Sequence, residues 1–173
     1  MWRRQAPKPS VELTAESVVR VPGPTSRVWA LVKSPASAVA LFPECIDAWR
    51  EPGSPVGLGE VQVSLMEVAG VRHQYRNKII AFEDGRRAVT ELADPGFGAR
   101  LLVETVVSPI NEVGHDDVEV THRRWAVLAT EVPAEVLAAV QQELDRWAQT
   151  ISSRLPAHCV SASLRYCNCW AWV

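Results

Sequence analysis

The sequence predicts an α+β fold in which a curved antiparallel β-sheet wraps around one long C-terminal α-helix. Three observations predict it. Val136, Val140, Leu144, Trp147, Ile151 and Leu155 recur at steps of four, four, three, four and four, which is one face of a 3.6-residue period. The chain before them alternates in strand fashion, most clearly from Glu119 to Leu128. Helical patterning elsewhere is confined to two short patches after the first strand. A lone helix that buries its apolar stripe against a strongly curved sheet leaves space between the two, so a ligand cavity is expected.

The elements follow in order. Residues 1–14 read as a flexible arm. Val19 and Val21 alternate with Val18 and Arg20 in a first strand, Ser17 to Val21, broken by Pro22-Gly23-Pro24. Thr25 or Ser26 caps a short helix, Arg27 to Val32, with Val28, Trp29 and Val32 on one side. Pro35 to Phe42 reads as a second short helix, ended by Pro43. Strands are predicted at Ile46 to Arg50, Glu60 to Val68 and Val71 to Phe82, with a turn at Val56-Gly57-Leu58-Gly59 and a break at Gly70.

Asp84-Gly85 is a two-residue hairpin signal leading into Arg87 to Asp94. With Glu83 and Arg86 flanking it, Ile79 faces Thr90, Lys78 faces Glu91 and Tyr75 faces Asp94. The last strands, Leu101 to Val107 and Asp117 to Leu128, are joined through Asn111-Glu112-Val113-Gly114. Pro133 suits the first turn of the long helix, where its missing N–H costs nothing. Glu131 and Glu135 sit near the positive end of its dipole and Arg154 near the negative end. Pro156 is expected to end it after Leu155. The domain then spans 15–156, and 157–173 is an extension, disordered or loosely docked.

The order is strand, two short helices, six strands, long terminal helix. Along it lie Val21-Pro22 leading into Val28-Trp29-Ala30-Leu31-Val32, then Leu41-Phe42-Pro43, then Gly57-Leu58-Gly59-Glu60. This succession resembles the START-like helix-grip superfamily, and within it the SRPBCC proteins labelled polyketide cyclase/dehydrase or lipid-transport proteins. The resemblance covers roughly residues 16–155. It implies a sheet gripping the C-terminal helix around an apolar cavity. It does not imply one activity, since members include lipid carriers, cyclases, hydroxylase domains and chaperone cofactors. No stretch matches the iron–sulfur or mononuclear-iron motifs of the hydroxylase members, so no cofactor is expected.

Composition narrows the classes further. A net charge of −2 over 173 residues gives no electrostatic case for nucleic acid. Fifteen of the eighteen basic residues are Arg, and with abundant Ala and Val this reads as a GC-rich bacterial coding sequence. No apolar run reaches the roughly 18–20 residues that span a membrane. The basic N-terminus, Met1 to Pro9, is followed by no apolar segment, so no signal peptide is expected and a cytoplasmic location follows by default, with the cysteines reduced. The composition says nothing of oligomeric state. His158, Cys159, Cys167 and Cys169 have the ligand types for zinc, but Cys167 and Cys169 are separated by a single residue, so no metal is expected.

Arg72, Gln74, Arg76 and Lys78 share one face of their strand, which puts Val71, His73, Tyr75 and Ile79 on the inner one. His122 and Arg124 share the inner face of the last strand if Val118 and Val120 point inward. These four polar residues are either hydrogen-bonded lining or groups that orient a keto or polyphenolic ligand, with neutral His able to act as a base near pH 7. Arg124 would alternatively pair with a ligand carboxylate near the mouth. Trp49 is placed at the entrance, and Trp125 falls uncomfortably on the outer parity, requiring either a bulge or an apolar patch to cover. Trp147 is assigned to packing. Residues 35–43, 51–59 and 95–98 are candidate gates, with Phe42 and Phe97 as plugs.

The expected ligand-binding residues are therefore His73, Tyr75, His122, Arg124, Trp49, Phe42 and Phe97. The first expectation is a carrier or binding module for a small hydrophobic molecule. The alternatives are a polyketide cyclase, aromatase or dehydratase using the same cavity, and a protein-interaction module using the Trp-containing tail. No catalytic residue is assigned.

Overall fold

The computed structural model describes residues 10–93, 99–110, 116–129 and 131–167, apart from the side chains of 93, 129 and 162–167. Ten elements follow one another: β1 (Ser10–Pro22), α1 (Thr25–Val32), α2 (Ala36–Leu41), β2 (Cys45–Arg50), β3 (Val61–Val68), β4 (Val71–Glu83), β5 (Arg87–Ala93), β6 (Arg100–Pro109), β7 (Asp117–Ala129) and α3 (Ala134–Cys167). The strands form a single antiparallel sheet in the order β1-β7-β6-β5-β4-β3-β2. α1 and α2 therefore carry the chain from one edge of the sheet to the other. This is the curved sheet and long helix that the sequence predicts.

β1 and β7 pair without interruption from Ser10↔Ala129 to Pro22↔Asp117. Strict alternation makes this ladder amphipathic. Ala15, Ser17, Val19 and Val21 are buried while Glu12, Glu16 and Arg20 are exposed. Ser10 to Thr14 belong to this strand rather than to an arm, because Leu13 packs under α3 and Val11 lies opposite Leu128.

α3 lays Leu144, Ala148, Ile151, Leu155 and Cys159 on the sheet, at steps of four, three, four and four. Each fully buried aliphatic side chain of this kind contributes roughly 1.5–3 kcal/mol. The expected stop at Pro156 is overturned, since the helix runs on to Cys167 with the proline inside it. A proline in a helix interior costs about 3 kcal/mol. Here the apolar stripe continues beyond it through Cys159, which is 1% exposed and part of the main core with Val28, Trp29, Val107 and Val120. At the other end the Pro133 carbonyl accepts the first helical N–H groups, from Val136 and Leu137.

The β4–β5 hairpin differs from its prediction in an instructive way. Glu83 pairs with Arg87, so the loop is three residues, Asp84 to Arg86, not two. Gly85 takes φ +79°, the left-handed position that such loops place on glycine. One extra residue between Ile79 and Ala81 then bulges β4 and restores the predicted pairs Ile79↔Thr90 and Lys78↔Glu91. Two one-residue offsets cancel. Glu91 takes its ion pair from Arg100 at 2.7 Å.

β7 keeps an unbroken register with both neighbours, so no bulge turns Trp125 inward. It lies on the outer face opposite Leu102, which is itself buried. The apolar patch, not the bulge, is the answer to its parity. Among the described residues no helix is long and apolar enough to cross a membrane.

Candidate functional site

A cavity of about 590 Å³ lies between the concave face of the sheet and α3. Its position follows from the alternation. Gln62, Ser64, Met66 and Val68 of β3 face it, as do Tyr75, Asn77 and Ile79 of β4 and Leu101, Val103 and Thr105 of β6. β7 supplies His122 and Arg124. α3 closes it with Glu143, Trp147 and Ile151, and the α1–α2 segment walls it with Trp29, Leu41 and Phe42.

Four of the seven sequence-predicted residues meet here: Tyr75, His122, Arg124 and Phe42. His73 has the same parity as Tyr75 and stacks on it, ring centroids 6.2 Å apart, but it is exposed and outside the lining. Trp49 lies opposite Val63 on the other face of the sheet, half-buried. Phe97 lies outside the described residues, as does Asp94.

His122 is 6% exposed, and its Nδ1 lies 2.9 Å from the Thr105 hydroxyl, its direct cross-strand partner. Burial holds the imidazole down at about 4, so it is neutral at pH 7. Its Nε2 is buried and has no hydrogen-bond partner among the described residues. A buried polar atom left in that state costs on the order of 1–3 kcal/mol unless something else satisfies it.

Arg124 sits two residues on, with its guanidinium carbon 5.5 Å from the centre of the Trp147 ring. Its Nε is also buried and has no hydrogen-bond partner among the described residues. Burial pushes the guanidinium below its ordinary value, with Glu143 and Tyr75 pulling the other way. Trp147 thus touches both groups, edge-on to His122 at 6.0 Å and beneath Arg124, and it stacks on Phe42 at 6.4 Å.

Polar links brace the rim. Arg146 holds Glu143 at 2.9 Å and Glu44 at 3.6 Å, which ties the start of β2 to α3. Trp29 donates its indole N–H to Asp84 at 3.0 Å, and Lys33 lies 3.7 Å from the same carboxylate. The buried Glu60 carboxylate accepts from Gly57 N–H at 3.0 Å and from the Gln62 amide at 2.8 Å.

Sequence reasoning misses two participants. Its periodicity assigns Trp147 to packing, yet this residue organises the polar pair. The other is Thr105, the one polar residue on an otherwise apolar inward row, Leu101, Val103, Thr105, Val107, and that interruption is readable. Among the described residues no cluster of three metal-ligand side chains occurs. Cys167 and Cys169 lie where no side chain is described.

No protein-family model matches this sequence, and no curated protein matches it. Its fold has many likenesses among solved structures. TTHA0849 from Thermus thermophilus superposes with a TM-score of 0.64 at 17% identity, over 88% of this chain and 99% of that one. Norcoclaurine synthase from Thalictrum flavum, in complex with dopamine and hydroxybenzaldehyde, gives 0.54 at 15% identity over 83% and 90%. The di-domain ARO/CYC BexL from the BE-7585A biosynthetic pathway gives 0.60 at 19% identity, over 86% of this chain and 48% of that one. At these identities the likeness is one of fold.

Proposed function

We propose that this chain, which has the START-like helix-grip fold, binds a small hydrophobic molecule between its sheet and α3. The observation that carries the reading is the cavity itself. About 590 Å³ of space stands where a close-packed interior would be, and it falls within the range of small-molecule sites. About half of its lining residues are aliphatic or aromatic, and two of the polar ones, His122 and Arg124, meet on Trp147. Solved proteins of the same fold include one whose complex holds dopamine and hydroxybenzaldehyde, two small aromatic molecules.

The test is titration with N-phenyl-1-naphthylamine, a neutral dye that brightens in apolar surroundings. It should bind saturably, one per chain. Val103→Trp, which fills the cavity from its floor, should abolish the signal while the far-UV spectrum is kept. A wild-type protein that gives no saturable signal overturns the reading.

A second reading uses the same cavity for cyclase or dehydratase chemistry on a polyketide-like chain. One observation favours it: a neutral imidazole nitrogen, His122 Nε2, is held open beside the Arg124 cation. Such a pair can polarise a carbonyl and accept or donate a hydrogen bond at the reacting centre. His122→Gln should then remove turnover of a model polyketide while the dye still binds. Retained turnover would leave this reading without its actor.

A further inference from the structure

The charge of the cavity runs against the charge of the chain. The chain carries a net −2. The lining carries four cations, Lys33, Arg124, Arg146 and Arg154, against two carboxylates, Glu44 and Glu143. Both carboxylates are already engaged by Arg146. Arg124 lies deepest of the four, half-buried with a buried, unpartnered Nε, and among the described residues no ion pair or side-chain hydrogen bond engages it. Glu143 acts on Arg124 only at a distance and is bonded to Arg146. A cation held in low dielectric with no direct ion pair is costly, and the cost is relieved when an anion arrives.

Geometry says what shape of anion fits. His122 and Arg124 point the same way from one strand, about 7 Å apart along it. Between them and α3 lies the Trp147 face. With the Thr105 hydroxyl donating to Nδ1, the imidazole presents Nε2–H as a second donor beside the guanidinium. Two donors side by side, backed by an aromatic ring, match the two oxygens of a carboxylate whose apolar body continues along Trp147 and Phe42.

We propose that the ligand is an amphipathic carboxylic acid, its carboxylate gripped by Arg124 and His122 and its aromatic or aliphatic body lying in the cavity. This rests on the cavity reading above and names the class of molecule for that same site. A hydrogen bond to a charged group is worth enough to separate an acid from its alcohol by roughly tenfold or more.

The experiment displaces bound N-phenyl-1-naphthylamine with 1-pyrenebutyrate and with 1-pyrenebutanol, which differ at the head group alone. The acid should displace the dye at least tenfold more tightly than the alcohol. In Arg124→Gln the acid and the alcohol should become equal. In Arg124→Lys, which keeps the charge but not the paired donors, part of the preference should remain.

The acid-to-alcohol ratio in the wild-type protein decides the matter without relying on any variant to fold. Equal displacement there overturns the carboxylate proposal and leaves the cavity reading standing. A dye that never binds, with neither competitor giving a signal of its own, overturns both.

Discussion

His122 meets Trp147 edge to face, ring centroids 6.0 Å apart and planes at 89°. One residue comes from the middle of β7 and the other from the middle of α3. Their contact is where the helix seals the strand from water, and it explains the low basicity of the imidazole.

Stability should therefore depend on pH through His122. Its folded value of about 4 lies below the ordinary 6.5. Above pH 6.5 the ring is neutral whether folded or unfolded and adds no pH dependence. As pH falls from 6.5 towards 4 the unfolded chain takes up a proton that the folded chain refuses, so stability is lost, by about 3 kcal/mol in full. Urea unfolding of the wild type and of His122→Gln, at pH 7 and pH 4.5, checks this. The wild type should lose more between the two pH values. Parallel losses would show that carboxylates alone set the acid limit.

Gly57→Ala should destabilise by about 1–3 kcal/mol. A Cβ there would stand 2.8 Å from the Phe82 ring, at a backbone φ of +82°. Phe82 packs on Trp29 at 5.9 Å, so the displacement reaches the cavity wall. Gly53→Ala is the matched control, with the same φ of +82° and nothing within 4 Å of the added carbon. The difference in urea midpoint between the two variants isolates the collision from the backbone strain.

Glu104→Ala should cost about 1–2 kcal/mol. The carboxylate is buried on the outer face, bonded to Arg87 at 2.6 Å and to Arg123 at 3.4 Å. Both arginines remain about half exposed to water, which screens the pair and keeps the loss below that of a fully interior one. Raising the salt concentration should shrink the difference from the wild type, as followed by thermal unfolding.

Deleting residues 157–173 should lower stability by at least about 2 kcal/mol, since it removes Cys159 and the helix that covers Val28 and Leu155. Burial raises the Cys159 thiol to about 11, so it remains a neutral, packed side chain at physiological pH. Cys159→Ala within the full chain should reproduce part of the loss. A truncated protein as stable as the intact one would show that the segment is a dispensable extension after all.

Most of the fold is legible because it is written in two periods. The 3.6-residue stripe of α3 and the alternation of β1 and β7 bury one face each, and no tertiary contact overrides them. The helix end is misplaced because Pro156 is a local signal, whereas Cys159 is held by distant partners on α1 and β7. The hairpin register survives a wrong turn length only because the bulge after Ile79 corrects it, and nothing in the residues from Ile79 to Phe82 announces that bulge. Tyr75, His122 and Arg124 are readable as cavity residues from strand parity, and Phe42 from its place as a bulky side chain in the segment 35–43. His73 shows the limit of parity, which gives the face of a strand but not which residues of that face the cavity takes in, since its cross-strand partner Met66 lines the space and His73 does not. Trp147 reads as packing since a helical stripe does not distinguish a residue that fills a core from one that roofs a void.

Pro156 has one more effect. It has no N–H to give the carbonyl of Ser152, so the rod that roofs the cavity and the rod anchored by Cys159 are joined one rung short. Bending stiffness is lowest at such a joint. That joint lies one residue beyond Ile151, which lines the cavity, and Leu144 on one side and Cys159 on the other hold both lengths against the sheet.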